Sequence, residues 1–333
     1  MSEMTAIVYS PKFLLHSSHG HPERPERLVA IMEFLEKMPF FNNLHIIQPS
    51  LLGEENIEEI HSHEMIERVK NTVGWLDPDT YTNKESYEIA KLAAGGVVMA
   101  CMDVVNEKEK NAFALIRPPG HHATSSRSMG FCLFNNVALA AHAVAKKGKK
   151  VLIFDHDVHH GNGTCDIFYE RSDIMYQSIH LYPHYPGTGM IDETGKGDGE
   201  GFTINAPLPR LIGDSGMEKI LDEIFLPIAE QFSPDLIIIS AGFDSHHADP
   251  LGGLSLTINF YGKIIEKFQK IQNKIVCALE GGYVLDTLQK GVASEVGMLN
   301  NTPIKFDDYS DERKDVDEII KRLRKTFQNY WEL

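Results

Sequence analysis

What most limits the fold of this 333-residue chain is a repeated pairing: a short apolar, β-branched run followed by a longer stretch with helical periodicity. Such alternation marks βαβ units and a mostly parallel sheet, because parallel neighbours need a crossover long enough to hold a helix. The runs are residues 5–10 (TAIVYS), 113–117 (FALIR), 151–157 (VLIFDHD), 174–180 (IMYQSIH), 235–244 (DLIIISAGFD) and 275–283 (IVCALEGGY). Their nearly continuous apolar character implies that helices cover both faces of the sheet. Helices are predicted over 25–38, 85–105, 137–147, 218–231, 258–272 and 284–299, with an amphipathic closing helix over about 311–330. No linker or internal repeat divides the chain, so the expectation is one α/β domain spanning 1–333.

Composition narrows the function classes. Hydrophobic residues make up 42% and charged residues 24%, the balance of a packed globular chain. The formal net charge is -15, and the densest basic group is Lys146, Lys147, Lys149 and Lys150, so no nucleic-acid footprint is expected. An acidic surface favours cationic substrates, such as lysine-rich tails or polyamines, although the same charge equally serves solubility. The first ten residues, MSEMTAIVYS, lack the basic and apolar regions of a secretory signal. No apolar run approaches the ~20 residues that a membrane helix needs. The four cysteines, Cys101, Cys132, Cys165 and Cys277, show neither CxxC spacing nor the density of a disulfide scaffold. A cytoplasmic location without a membrane partner is the expectation. The glycine-rich TGKGDGEG at 194–201 reads as a loop, since it does not join a strand directly to a helix as a phosphate-binding loop must.

The reactive side chains gather where predicted strands end: His121 and His122, then Asp155, Asp157 and His159, then Asp244, then Tyr283. In open parallel sheets, sites form beyond the carboxyl ends of the strands. Asp157 and His159 lie two residues apart, so on extended backbone their side chains share a side. With Asp244 they make a set of two carboxylates and one imidazole, and catalytic zinc sites typically use three protein ligands and keep one position open. Taken alone, an Asp-x-His pair equally suits an internal ion pair. His121 and His122 follow Arg-Pro-Pro-Gly and are suited to general acid–base work, although an isolated His-His pair is commonly an exposed loop. His246 and His247 are assigned to such a loop. Tyr283 either caps a strand or donates to a developing oxyanion. Convergence on one sheet edge favours a single site.

HPERPERL (21–28), RPPGHHA (117–123), GFCLFNNVALAA (130–141), DHDVHHGNGT (155–164), YPGTG (185–189), AGFDSHHADPLGG (241–253) and EGGY (280–283) together resemble the histone deacetylase family of zinc amidohydrolases. That family includes acetylpolyamine amidohydrolases and acetoin-utilisation proteins. The pattern is similar to the class II branch, because Asn162 stands where the class I branch usually has aspartate. The resemblance implies a single-domain, arginase-like α/β fold, with one zinc ion on Asp157, His159 and Asp244. It implies that His122 is the general base and acid, that His121, paired with Asp155, supplies electrostatic support, and that Tyr283 binds the carbonyl oxygen and then the oxyanion. Asn162 should raise the basicity of His122 less than aspartate would.

The resemblance further implies a narrow tunnel lined by Gly130, Phe131 and Tyr185, with Tyr185 replacing a common phenylalanine. Asp79 aligns with a rim position that holds the substrate backbone, and Arg27 with a residue near an inner channel for acetate. A potassium ion is implied near Asp155, Asp157, His159, Ser178 and Ile179. Leu251 stands where polyamine-specific relatives carry an acidic gatekeeper, which favours acyl-lysine over acetylpolyamine. Three further readings stay open: an acetylpolyamine amidohydrolase, a two-metal ureohydrolase of the arginase type, and a binder of acylated ligands without turnover. The ureohydrolase is disfavoured because its carboxylate-rich motif is absent, and the binder because His121, His122 and Tyr283 are all present. The sequence leaves acyl length, native metal and oligomeric state open, since iron or cobalt suits the same ligand types.

Overall fold

The apolar runs fold as strands that are buried along their whole length. A computed structural model describes residues 4–333. Its strands are β1 (Thr5–Val8), β2 (Leu44–Ile47), β3 (Gly74–Trp75), β4 (Tyr81–Thr82), β5 (Asn111–Ala114), β6 (Val151–Asp155), β7 (Ile174–Leu181), β8 (Thr203–Leu208), β9 (Leu236–Ala241) and β10 (Ile275–Leu279). Eight of them form one sheet in the order β2-β1-β5-β10-β9-β6-β7-β8, and every neighbouring pair is parallel. β3 and β4 make a separate antiparallel hairpin. On β9, Leu236, Ile237, Ile238 and Ile239 are all fully buried. Removing each of these side chains from water contributes roughly 1.5–3 kcal/mol.

Helices close both faces. Ser86–Val105 and Asn136–Ala145 pack on each other and on the central strands, while Glu26–Leu35, Ile258–Gln269 and Leu285–Leu299 form a second packed group. The closing helix is shorter than predicted, Asp317–Phe327, and it buries Ile320, Leu323 and Phe327 at helical spacing. The residues before it run as irregular chain, and Arg313 makes a bridge to Ile212.

The helix predicted over 218–231 starts earlier, at Asp214, and is interrupted by a π-helical segment at Leu221–Phe225. Pro227, near the start of the following helix Leu226–Phe232, supplies the reason. It has no N–H to give the preceding turn, and a widened turn accommodates its ring. Besides the short hairpin, two strands of the main sheet, β2 and β8, had no sequence signal. Both are at the edges of the sheet. There β2 is only partly buried, and β8 carries Asn205 and Pro207 among its apolar positions.

Candidate active site

The four strands that lead to the reactive residues, β5, β10, β9 and β6, are consecutive neighbours in the middle of the sheet. Because all are parallel, their carboxyl ends lie along one edge, and the turns that follow them meet there. His121 and His122 follow β5, Tyr283 follows β10, Asp244 follows β9, and Asp155 is the last residue of β6.

His159 Nδ1 lies 2.9 Å from Asp157 Oδ1 and 3.2 Å from Asp244 Oδ2. Ligand atoms of these three residues all fall within 4.8 Å of one another. The carboxylates are fixed from behind: Gly281 N donates to Asp157 Oδ2 at 2.9 Å, and Val158 N donates to Asp244 Oδ1 at 3.0 Å. Asp244 Oδ2 is buried, and its contact with the His159 ring at 3.2 Å is not a well-directed hydrogen bond. Glycine makes this cradle possible, since a Cβ at Gly242 would collide with the Asp157 carboxylate and one at Gly281 with the Asp244 carboxylate.

The electrostatics also call for a cation. Burial, and then Asp157, raise Asp244 to about 6. Burial would raise Asp157 as well, but His121 and His159 outweigh it and hold that carboxyl well below its usual range. Burial would lower His159, yet the two carboxylates raise it to about 10. Two buried carboxylates gathered on one imidazole suit a divalent ion, and they match the chemistry of a zinc site.

Beside this set stand two histidine–partner pairs. His121 Nδ1 donates to Asp155 Oδ2 at 3.0 Å, and Tyr176 Oη donates to the same oxygen at 3.2 Å. Burial opposes the charge on His121, but Asp155 and Asp157 outweigh it and raise the ring to about 10. His122 Nδ1 lies 2.8 Å from Asn162 Oδ1, an acceptor, so the proton sits on Nδ1 and Nε2 carries the lone pair. Burial, then His121 and His159, hold His122 well below its usual value.

A cavity of about 260 Å³ opens over these groups, lined in part by His122, Gly130, Phe131, Tyr185, Leu251 and Tyr283. Gly130 has φ +57°, and a Cβ there would strike the His122 ring. Phe131 itself adopts φ +70°, and its ring meets Tyr283 edge-on at 5.8 Å. Tyr185 stands edge-on to His122 at 5.1 Å. Asp79 also lines the cavity, in the turn between β3 and β4, and burial followed by Asp77 raises its carboxyl. Leu251, at the mouth, is 36% exposed.

Arg27 lies behind the cavity wall. It is fully buried, donates to Gly282 O at 2.7 Å and Glu280 O at 2.6 Å, and holds its guanidinium 5.2 Å from the Tyr283 ring centre. Ser178 is the register partner of Asp155, and its Oγ lies 2.9 Å from His180 Nδ1.

Several residues that the sequence did not single out shape the site. Glu280 Oε2 accepts from Gly120 N at 2.7 Å and His121 N at 3.2 Å, so it braces the turn that carries the histidine pair. Burial raises it to about 7. Glu23 is buried between Arg117, which opens the histidine turn, and Arg27, which holds the carbonyls of the Tyr283 turn. His184 stacks on His159 at 4.9 Å and reaches Leu251 O at 3.0 Å. The one signal for the first two was a charged residue inside an otherwise apolar or proline-rich segment. His246, assigned to an exposed loop, is instead buried against Asp308 at 3.0 Å, while His247 holds the other oxygen of that carboxylate.

A parallel α/β sheet with paired histidines and a metal-type carboxylate set at its carboxyl edge defines a hydrolase-like class of site. A model of the histone deacetylase domain matches residues 21–299, and the chain belongs to that family. A protein of Archaeoglobus fulgidus described as a probable deacetylase is 39% identical over 295 residues, covering 85% of this chain and 82% of its own. Another described in the same words, from Methanothermobacter thermautotrophicus, is 38% identical over 336 residues, covering 98% and 99%. The solved structure of the HDA15 HD domain superposes with a TM-score of 0.92 at 35% identity, covering 99% of this chain and 97% of that one.

Proposed function

We infer that the chain is a zinc-dependent deacetylase that hydrolyses an acetyl or related acyl amide on lysine or a similar amine. The observation that carries this reading is the convergence of Asp157, His159 and Asp244 within 4.8 Å, beside two differently tuned histidines. Family membership and relatives described as deacetylases support the reaction class.

A divalent ion held by Asp157, His159 and Asp244 would polarise the amide carbonyl and acidify an attacking water. His122, kept neutral with a free Nε2, takes a proton from that water and returns it to the leaving amine. His121, kept charged by Asp155, stabilises negative charge as the carbonyl carbon becomes tetrahedral. The Tyr283 hydroxyl donates to the developing oxyanion. Gly130, Phe131 and Tyr185 enclose the acyl-bearing stem, and Asp79 accepts from the substrate backbone. Arg27 anchors the turn that carries Tyr283. A potassium ion near Asp155, Asp157, His159, Ser178 and Ile179 belongs to the same reading, and the register pairing of Asp155 with Ser178 supports it.

Leu251 presents no charge to a distant ammonium, which supports acyl-lysine as substrate over acetylpolyamine. All four cysteines are free and buried, which fits a reducing compartment such as the cytoplasm. Among the described residues no helix is long and apolar enough to cross a membrane.

The test is release of free amine from acetyl-lysine peptides and acetylated polyamines, by metal-analysed protein with and without added zinc. Zinc-dependent turnover of the peptides is expected. Metal-loaded protein that turns over neither class, yet binds acetyl-lysine, would replace this reading with that of a binder.

A further inference from the structure

A second, largely buried group of metal-ligand type, with Glu193 half-buried, lies away from the cavity, between the chain that carries Tyr185 and the helix Asn162–Phe168. His160, Cys165 and Glu193 each offer one ligand atom within 4.8 Å of the others. His160 is 1% exposed and Cys165 is 5% exposed. His160 Nδ1 lies 2.8 Å from Thr188 Oγ1. Its Nε2 and the buried Asn205 Oδ1 approach each other without a well-directed hydrogen bond, and neither has another hydrogen-bond partner among the described residues.

The tautomer matters here. With Nδ1–H donating to the threonine hydroxyl, His160 Nε2 presents a bare lone pair in the interior. This is how ligating histidines are held, one nitrogen on the ion and the other fixed by an oxygen. In that tautomer two acceptors, His160 Nε2 and Asn205 Oδ1, face each other beside a thiol and a carboxylate, an arrangement that a cation between them would satisfy. Glu193 already accepts from Gly189 N at 3.1 Å and Met190 N at 3.0 Å, but a carboxylate has lone pairs to spare. Asn205 Nδ2 donates to Glu193 O at 3.3 Å, which brings the amide to the same spot.

We propose that His160 Nε2, Cys165 Sγ and a Glu193 carboxylate oxygen, with Asn205 Oδ1 as fourth donor, bind a second divalent ion of the zinc class. On binding, the Cys165 thiol releases its proton to solvent and the sulfur becomes a thiolate ligand. Thiolate and carboxylate then balance the two positive charges, so the buried site is neutral overall. A sulfur and an imidazole select zinc over magnesium or calcium, and four protein donors make the site closed and structural. An ion held there ties the chain bearing Tyr185 to the helix bearing Asn162, and so fixes one cavity wall relative to the partner of His122.

Zinc per chain should be two in the native protein, one in Cys165→Ser and one in Asp157→Ala. Metal-depleted protein reloaded with cobalt gives a sharper readout, because Asp157, His159 and Asp244 contain no sulfur. A thiolate-to-cobalt charge-transfer band in the near ultraviolet should appear, persist in Asp157→Ala and vanish in Cys165→Ser. Glu193→Gln, which keeps the size and the thiol, should weaken cobalt retention at this band at least tenfold and covers the case in which the serine variant does not fold. No sulfur band, or a band that survives Cys165→Ser, overturns the proposal. An Asp157→Ala variant with unchanged zinc content would instead refute the metal assignment at the cavity and leave this one standing.

Discussion

Replacing Glu23 by glutamine should destabilise the protein strongly, although Glu23 lines no part of the cavity. The carboxylate is 0% exposed and faces two buried guanidinium groups. It accepts from Arg117 Nη2 at 2.7 Å, from Arg117 Nε, and from Arg27 Nη1 at 3.2 Å. Burial opposes its charge, but Arg117 and then Arg27 outweigh that and lower the carboxyl from 4.5 to about 2. A displacement of that size corresponds to about 3 kcal/mol, within the roughly 3–5 kcal/mol expected when one member of a buried ion pair is removed.

The sign follows from the direction. A carboxyl depressed in the folded state stabilises it fully above pH 4.5, and the stabilisation fades as the pH falls towards 2. Urea unfolding at pH 7 should therefore show Glu23→Gln weaker by about 3 kcal/mol, with the gap closing between pH 4.5 and 2. Arg27 would keep its bonds to the Glu280 and Gly282 carbonyls, so the residual folded enzyme should bind metal. A loss below about 1 kcal/mol at pH 7, or a gap independent of pH, would refute the assignment of this network as the anchor of the site turns.

Three further outcomes are expected. Tyr283→Phe should lower kcat by about 10²–10³ with zinc content unchanged, as measured by turnover and metal analysis, since it removes an oxyanion donor and no ligand. Asn162→Asp should raise the pKa of His122 by placing a carboxylate 2.8 Å from Nδ1, so the acid limb of the kcat/KM profile should move to higher pH; an unmoved limb would remove His122 from the role of base. Leu251→Glu should raise kcat/KM for acetylated polyamines relative to acetyl-lysine peptides by about tenfold, and no change in that ratio would show that the cavity mouth does not choose the substrate.

What the sequence revealed and what it concealed divide along a physical line. The interior strands were legible because an apolar run that stops at Asp155 or Asp244 is a local pattern. The convergence of Asp157, His159 and Asp244 with the two histidine pairs was legible because each of these turns carries its reactive side chains within a few residues of a strand end. Edge strands β2 and β8 were not, since a half-exposed or proline-bearing strand lacks that pattern. Nor were the bracing residues. Glu280 holds Gly120 and His121, and Glu23 holds Arg117, across gaps that no spacing rule spans. His246 failed for the same reason, since the carboxylate that buries it, Asp308, is distant in the chain.

The adjacency of β5, β10, β9 and β6 bears on how the chain reaches its native state. β10 lies between β5 and β9, and it joins Ala112 to Val276 and Ile239 to Cys277. Because β6 aligns directly on β9, the turns bearing Asp157 and Asp244 meet when that pair forms, but Gly281, which holds the Asp157 carboxylate, and Tyr283 arrive only with β10. Contacts so remote along the chain close late and slowly. Nascent chains that lack the last strand would have the three proposed ligands without their Gly281 brace and without Tyr283. If a metal binds at the proposed ligands, its uptake would precede the arrival of Tyr283, so binding and turnover would become competent at different stages of folding.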